Sequence, residues 1–414
     1  MSWPRCLLTV SSRLSPAACA AATTTSPSLR DLGNPEINCD MRTMLRMEYA
    51  SRQKQFQQTL VNEELDGFAI THPANLRYLC GYTGSNGLLL FLAGRRILFT
   101  DGRYTKQAHE EVNGARVVIA PGSLLTAAAK IIGRLSSAAI GFESDLTTVA
   151  TATQMKELVH RRIEWKPTSG LIMRQRMIKD ADELRLIREA VKLGAKVYQQ
   201  AAKSIRPGVR EVDVAGKLEY AARQAGADGM SFDTIVAAGK RGALPHGRAS
   251  AHPIPKRGFV VVDSGVILRG YCSDMTRTVH VGPVSRVERA WYEAVLEAQL
   301  VGVHTVRPGV TAAEVDNATR SVLRKAKLNR YFTHSTGHGV GLEIHEPPRL
   351  GMRQPERLAP GMVITIEPGI SIPGKGGIRI EDMVVVTESG CEVLTPVTKE
   401  LVEVASSQAT LGSS

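Results

Sequence analysis

Apolar residues fall into two rhythms along the chain. Between residues 48 and 170, short strand-sized runs alternate with helical patterns. "DGFAIT" reads as a strand, and "LLLFLAGRRILFT" as a hairpin turning near Ala93-Gly94. "ARVVIAPG" and "AAIGFES" read as further strands on either side of a helical "SLLTAAAKIIGRL". This predicts a compact α/β domain of about 120 residues. A boundary falls in "KPTSGLIMRQRMIK", and a long amphipathic helix follows it. Leu184, Ile187, Val191, Val197, Tyr198 and Ile205 form its apolar stripe. Asp180 is placed to cap this helix with Glu183 as capping-box partner, and Pro207-Gly208 ends it.

The second rhythm is an internal echo. "SIRPGVREVDVAGKLEYAARQAG" and "TVRPGVTAAEVDNATRSVLRKAK" each read as a helix end, an Arg-Pro-Gly-Val turn and an amphipathic helix, offset by 101 residues from Arg206 to Arg307. Each leads to a His-Gly loop, "PHGRAS" at His246 and "GHGVGLEIHE" at His338. Each loop leads to an apolar strand that closes on an acid, Asp263 in "FVVVDSG" and Glu367 in "MVITIEPG". A second acid follows each, Asp274 in "SDMTRTVHV" and Glu381 in "RIEDMVVV". Two similar αβ halves therefore face each other, each offering two carboxylates and a histidine.

A single acid at the end of an apolar strand has an ordinary explanation: it caps a turn or faces solvent. Four in matching places are harder to explain so. A lone buried carboxylate costs several kcal/mol unless paired or coordinated. Four that converge cannot all ionise without compensating cations, and among cationic side chains only Arg379 is close in sequence. The pattern points to two divalent metals on Asp263, Asp274, His338, Glu367 and Glu381. Four hard carboxylates and one imidazole favour manganese, cobalt or zinc. A two-metal centre activates a bridging water and clamps a tetrahedral intermediate. His246 and His345, not needed as ligands, are then placed to hydrogen-bond the developing oxyanion or the substrate, and Arg379 to orient a ligating acid.

Composition narrows the classes. The 414 residues suffice for two or three domains, and 43% are hydrophobic. No window approaches the roughly 18 apolar residues of a membrane span. The net charge of +12 is spread along the chain, and 5% aromatics are too few for base-stacking platforms, so nucleic acid is not an expected partner. Six cysteines without CxxC spacing suit reduced thiols in a cytoplasmic protein. The Ser-, Thr- and Ala-rich start carries three Arg and no acid before Asp31. It suits a transit peptide, a weak signal peptide or a start assigned too early, since Met41, Met44 and Met47 follow. Gly337, Gly339 and Gly341 form a GxGxG that flanks a histidine without a dinucleotide-binding βα unit. "HEPPR" is not HExxH, and no GxSxG elbow occurs.

"VVVDSG", "CSDMTRT", "HSTGHGVGLEIHEPP", "TIEPG" and "GGIRIED", in this order, resemble the pita-bread metallopeptidases, and closely their Xaa-Pro aminopeptidase and Xaa-Pro dipeptidase (prolidase) branch. "YLCGYTGSNG" and "TDGRY" resemble that branch's creatinase-type N-terminal domain. The resemblance covers residues 48 to 403. It implies an α+β fold: a pita-bread catalytic domain with internal pseudo-twofold duplication over 178–404, after a smaller α/β creatinase-type domain over 47–172. Residues 1–46 would be a disordered or misassigned extension, and 405–414 a tail.

The resemblance also implies two metals on the same five ligands, with Glu367 shuttling the proton of a metal-bridging hydroxide. It implies His246 and His345 on the scissile carbonyl and the proline side, Arg349 meeting a substrate carboxylate, and a homodimer. The implied reaction releases an N-terminal residue before proline, from dipeptides or longer peptides. Three rivals share the scaffold: a methionine aminopeptidase-type enzyme, a creatine hydrolase and a non-enzymatic binding protein. The first lacks the extra N-terminal domain. The other two work without, or typically lose, the metal set that is intact here.

Overall fold

The computed structural model describes residues 48–405 except Ala93. The expected N-terminal extension, nearly all of the expected tail and Ala93 of the hairpin turn lie outside the described residues. Among the described residues no helix is long and apolar enough to cross a membrane.

The N-terminal part is built on a six-stranded sheet. Its strands are β1 (Gly67–Ile70), β2 (Leu88–Leu92), β3 (Arg95–Thr100), β4 (Arg116–Ile119), β5 (Ala138–Glu143) and β6 (Ile163–Thr168), in the order β4-β3-β2-β1-β5-β6. The expected hairpin is the antiparallel pair β2–β3, with Leu92 opposite Arg95 and Gly94 at φ 69°. β2, "LLLFL", is apolar throughout because the sheet is covered on both faces. Leu89 and Phe91 pack with Phe56 and Leu60 of helix Tyr49–Asn62. Leu88, Leu90 and Leu92 pack on the other side with Ile132 and Met155.

The boundary stretch is more regular than its composition suggests. It contains β6 and then helix Leu171–Met177. Pro167 is tolerated because β6 is an edge strand that lacks one ladder neighbour. Helix Ala181–Ala202 follows, capped by Asp180 with the Glu183 capping box. Its buried stripe includes Ile187, Val191, Val197 and Tyr198, whereas Leu184 is half-buried.

Two αβ halves make up the rest. In one, helices Ala181–Ala202 and Glu211–Gln224 cover a sheet that contains Ile235–Ala238, Gly258–Ser264 and Met275–Val281. In the other, helices Arg286–Thr305 and Ala312–Lys325 accompany Gly337–Gly339, Glu346–Leu350, Val363–Ile366 and Asp382–Val386. The two Arg-Pro-Gly-Val turns match closely: Gly208 and Gly309 both stand at φ 83°, where glycine carries no Cβ penalty. One expectation is corrected. His338 lies within the short strand Gly337–Gly339, not in a loop, because a ladder partner on each side captures that segment.

Candidate metal centre

Strand pairing draws the acids together. Strand Gly258–Ser264 runs antiparallel to Met275–Val281, with Asp263 opposite Thr276. Strand Val363–Ile366 pairs with Asp382–Val386, with Ile366 opposite Asp382. The two hairpins meet where the Glu381 N–H donates to the Thr276 carbonyl at 3.1 Å. Asp263, Asp274, Glu367 and Glu381 therefore sit at neighbouring corners of two sheets. His338 comes from the strand beside Val363–Ile366 and closes the group.

The ligand-type atoms of Asp274, His338 and Glu381 all lie within 4.8 Å of one another. His338 Nε2 is 3.6 Å from Asp274 Oδ2 and 3.6 Å from Glu367 Oε1. Its Nδ1 lies 3.0 Å from the Gly339 carbonyl, which makes Nδ1 the proton donor and leaves the Nε2 lone pair facing the acids. Arg379 is the guanidinium in this cluster. It pairs with Asp263, donates Nε–H to Thr276 Oγ1 at 3.1 Å and reaches the Pro245 carbonyl at 3.1 Å. Thr276 passes the contact on, donating to Glu381 Oε2 at 2.7 Å. One arginine thus braces an acid of each half.

This arrangement is unstable as bare charge. Burial, and then the neighbouring Glu381, Asp263 and Glu367, push the Asp274 carboxyl well above the ordinary carboxylate range. Burial followed by Glu367 and Asp263 does the same to Glu381. Glu367 is pushed up to about 7, first by burial. His338 is driven the other way, to about 4, again first by burial. Its imidazole is therefore neutral and does not balance the acids. Asp263 is 8% exposed, and its Oδ1 is buried without a hydrogen-bond partner among the described residues. Four acids, one neutral imidazole with an aimed lone pair and an orphaned carboxylate oxygen fit divalent cations. The donors are hard oxygens plus one nitrogen, as manganese, cobalt and zinc accept.

The cluster forms one wall of a cavity of about 940 Å³. All nine residues singled out from the sequence line it: Asp263, Asp274, His338, Glu367 and Glu381, together with His246, His345, Arg349 and Arg379. His246, His345 and Arg349 are exposed there. The His345 ring lies 4.4 Å, centroid to centroid, from that of His338. Sequence reasoning passed over others. His334 also lines the cavity, with Nδ1 3.9 Å from Glu367 Oε2, and burial lowers it to about 4. Its position four residues before His338 was the available signal. Phe232 and the Asp233–Arg248 ion pair stand at the same cavity with no sequence signal.

Comparison with known proteins gives the following. Residues 185–388 match Metallopeptidase family M24, and residues 52–178 match the Creatinase/Prolidase N-terminal domain. An uncharacterised peptidase, YqhT, of Bacillus subtilis (strain 168) is 40% identical over 82% of this chain and 96% of its own length. A solved structure of an Xaa-Pro dipeptidase from Bacillus anthracis is 40% identical and superposes with a TM-score of 0.83, covering 86% of this chain and all (100%) of that one. The X-Pro aminopeptidase from Thermotoga maritima MSB8 is 33% identical with a TM-score of 0.79, over 84% of this chain and 100% of that one.

Proposed function

The chain belongs to metallopeptidase family M24, with a creatinase/prolidase-type N-terminal domain, and from that premise we propose that it is a two-metal exopeptidase cutting between an N-terminal residue and proline. The observation that carries this reading is the group of three buried acids, the half-buried Glu367 and one neutral imidazole on the wall of a large cavity. The names of the solved relatives support the choice of bond.

Asp263, Asp274, His338, Glu367 and Glu381 would hold the ions, manganese first and cobalt or zinc otherwise. Bound there, divalent ions supply Lewis acidity and water acidified towards neutral pH. The remaining work falls to the chain's own side chains. Glu367 takes a proton from the attacking water on a carboxylate oxygen and delivers it to the proline nitrogen as the C–N bond breaks. His246 and His345, on the cavity wall, donate to the carbonyl oxygen as negative charge gathers on it. Arg379 keeps Asp263 aimed. Arg349 meets the free carboxylate when the substrate is a dipeptide.

Proline suits such a site because the bond before it is a tertiary amide with no N–H. Peptidases that grip that N–H lose their hold, whereas a cavity that binds the amine, the carbonyl and the ring does not. The free thiols of Cys80, Cys272 and Cys391 fit a cytoplasmic enzyme. The test is a hydrolysis panel of Xaa-Pro dipeptides, Xaa-Pro tripeptides and Met-initiated peptides, with manganese, cobalt and zinc supplied in turn. Turnover confined to bonds before proline is the expected result. Preferred release of Met from peptides without proline would overturn the reading.

A further inference from the structure

His345 is exposed, and among the described residues its ring packs edge-on to that of His338 without a hydrogen bond to hold it. Something else must aim it. The carboxylates nearest it in sequence, Glu343 and Glu346, are both held by cationic side chains that precede helix Ala181–Ala202, although Glu346 also lines the cavity. Glu346 is 4% exposed and pairs with Arg176 and, at 3.1 Å, with Lys179 Nζ. Glu343 reaches Arg176 at 3.0 Å and His72 Nε2 at 2.9 Å. The Glu343 N–H closes the loop on itself by donating to Glu346 Oε1 at 3.1 Å.

Gly341 leaves room for this fold-back. A Cβ there would sit 2.6 Å from Glu346 Oε2, closer than a side chain can approach, and this gives the last glycine of GxGxG a reason unrelated to phosphate. Arg176 is in turn fixed by the N-terminal domain. It is 1% exposed and donates to Asn75 Oδ1 at 2.7 Å, and Asn75 donates to Glu143 Oε1 at 2.7 Å.

We propose that Arg176 is a positioning residue: with His72 and Lys179 it locks the loop from Gly341 to Glu346 so that His345 faces the scissile carbonyl. This rests on the role given to His345 above. The N-terminal domain thereby takes part in catalysis, because its charge network ends one residue from a group that touches substrate. A misplacement of about 1 Å at such a group can cost on the order of 10²-fold in rate.

The test uses the full chain loaded with manganese and an Xaa-Pro dipeptide. Glu343→Gln, Arg176→Lys and Arg176→Ala are compared in the wild-type and His345→Ala backgrounds, with bound metal measured throughout. Glu343 is partly exposed, so its variant folds even if Arg176→Ala does not. We expect Glu343→Gln to lower kcat by about 10-fold or more, with KM within about twofold and metal content unchanged. Arg176→Lys should restore part of what Arg176→Ala loses. In the His345→Ala background the same changes should cost less than about twofold further, because they act through the missing ring. Equal losses in both backgrounds, or full kcat for Glu343→Gln beside a crippled His345→Ala, overturn the positioning role alone. Full turnover by His345→Ala itself overturns the role of His345, and the positioning proposal with it.

Discussion

The two halves of the catalytic region share a backbone device but differ in the chemistry they deliver. In each, the second helix supplies one fully buried acid that ties down the strands and loops beside it. Glu211, 0% exposed, accepts from the Ala238 N–H at 2.8 Å, the Ser250 N–H at 3.1 Å and Arg241 Nε at 2.9 Å. Asp316, also 0% exposed, accepts from the Thr336 N–H at 3.2 Å, Thr336 Oγ1 at 2.7 Å and Arg320 Nε at 2.7 Å. Both halves then place two carboxylates on the cavity. Only the second adds an imidazole with its lone pair aimed at them, His338. The second half's histidine loop is clamped through Glu346 by Arg176 and Lys179, which precede both halves, whereas the first half's is reached at the Pro245 carbonyl by Arg379 of the other half. Duplication thus accounts for the frame, while the chemistry has been shared out unequally upon it.

That contrast can be broken at several depths. Asp274→Ala removes an acid from the first half and Glu381→Ala one from the second. Each should reduce turnover by at least about 10³-fold and remove bound metal if, as proposed, both acids hold the same cations. Full activity in either would separate the halves. Next come the exposed histidines. His246→Ala and His345→Ala should each lower kcat by about 10²-fold while metal content stays at the wild-type level. Metal loss in either would make that residue a ligand.

Smaller effects test the frame. Glu211→Ala and Asp316→Ala each leave a half-buried arginine and a buried N–H without their carboxylate partner. Each should destabilise the fold by roughly 3 kcal/mol, read from the urea midpoint. A large gap between the two would show that the device is not equivalent. Smallest is the cap of the long helix that opens the second half. Ser285→Ala should cost about 1 kcal/mol and leave kcat unchanged, since Ser285 Oγ bonds only to Glu288 at the helix start, accepting from its N–H and donating to its Oε2.

The frame was legible because local rules and the fold agree along it. The repeated Arg-Pro-Gly-Val turns, the Asp180–Glu183 box and the acids closing apolar strands all carry their meaning within a few residues. What escaped depends on contacts distant in sequence. Helix Pro73–Cys80 has Pro at its first position, a start signal that was available and unused. Strand Ile163–Thr168 is polar and contains Pro, so only its edge position explains it. Arg176 looks like one more basic residue in a basic chain. Its burial follows from Glu346, 170 residues further on, and no periodicity reports that. His338 was expected in a loop because glycines surround it, yet those glycines are what let neighbouring backbone approach. A Cβ at Gly337 would lie 2.0 Å from the Thr365 carbonyl oxygen.

The central claim is that acids from both halves remain buried together because divalent cations neutralise them. Metal analysis of the purified full-length chain by mass spectrometry, before and after chelation, tests this most directly. Two divalent ions per chain, lost together with turnover and regained with it on adding manganese, are the predicted result. A chain that cleaves Xaa-Pro substrates at full rate with no divalent metal bound would contradict the account.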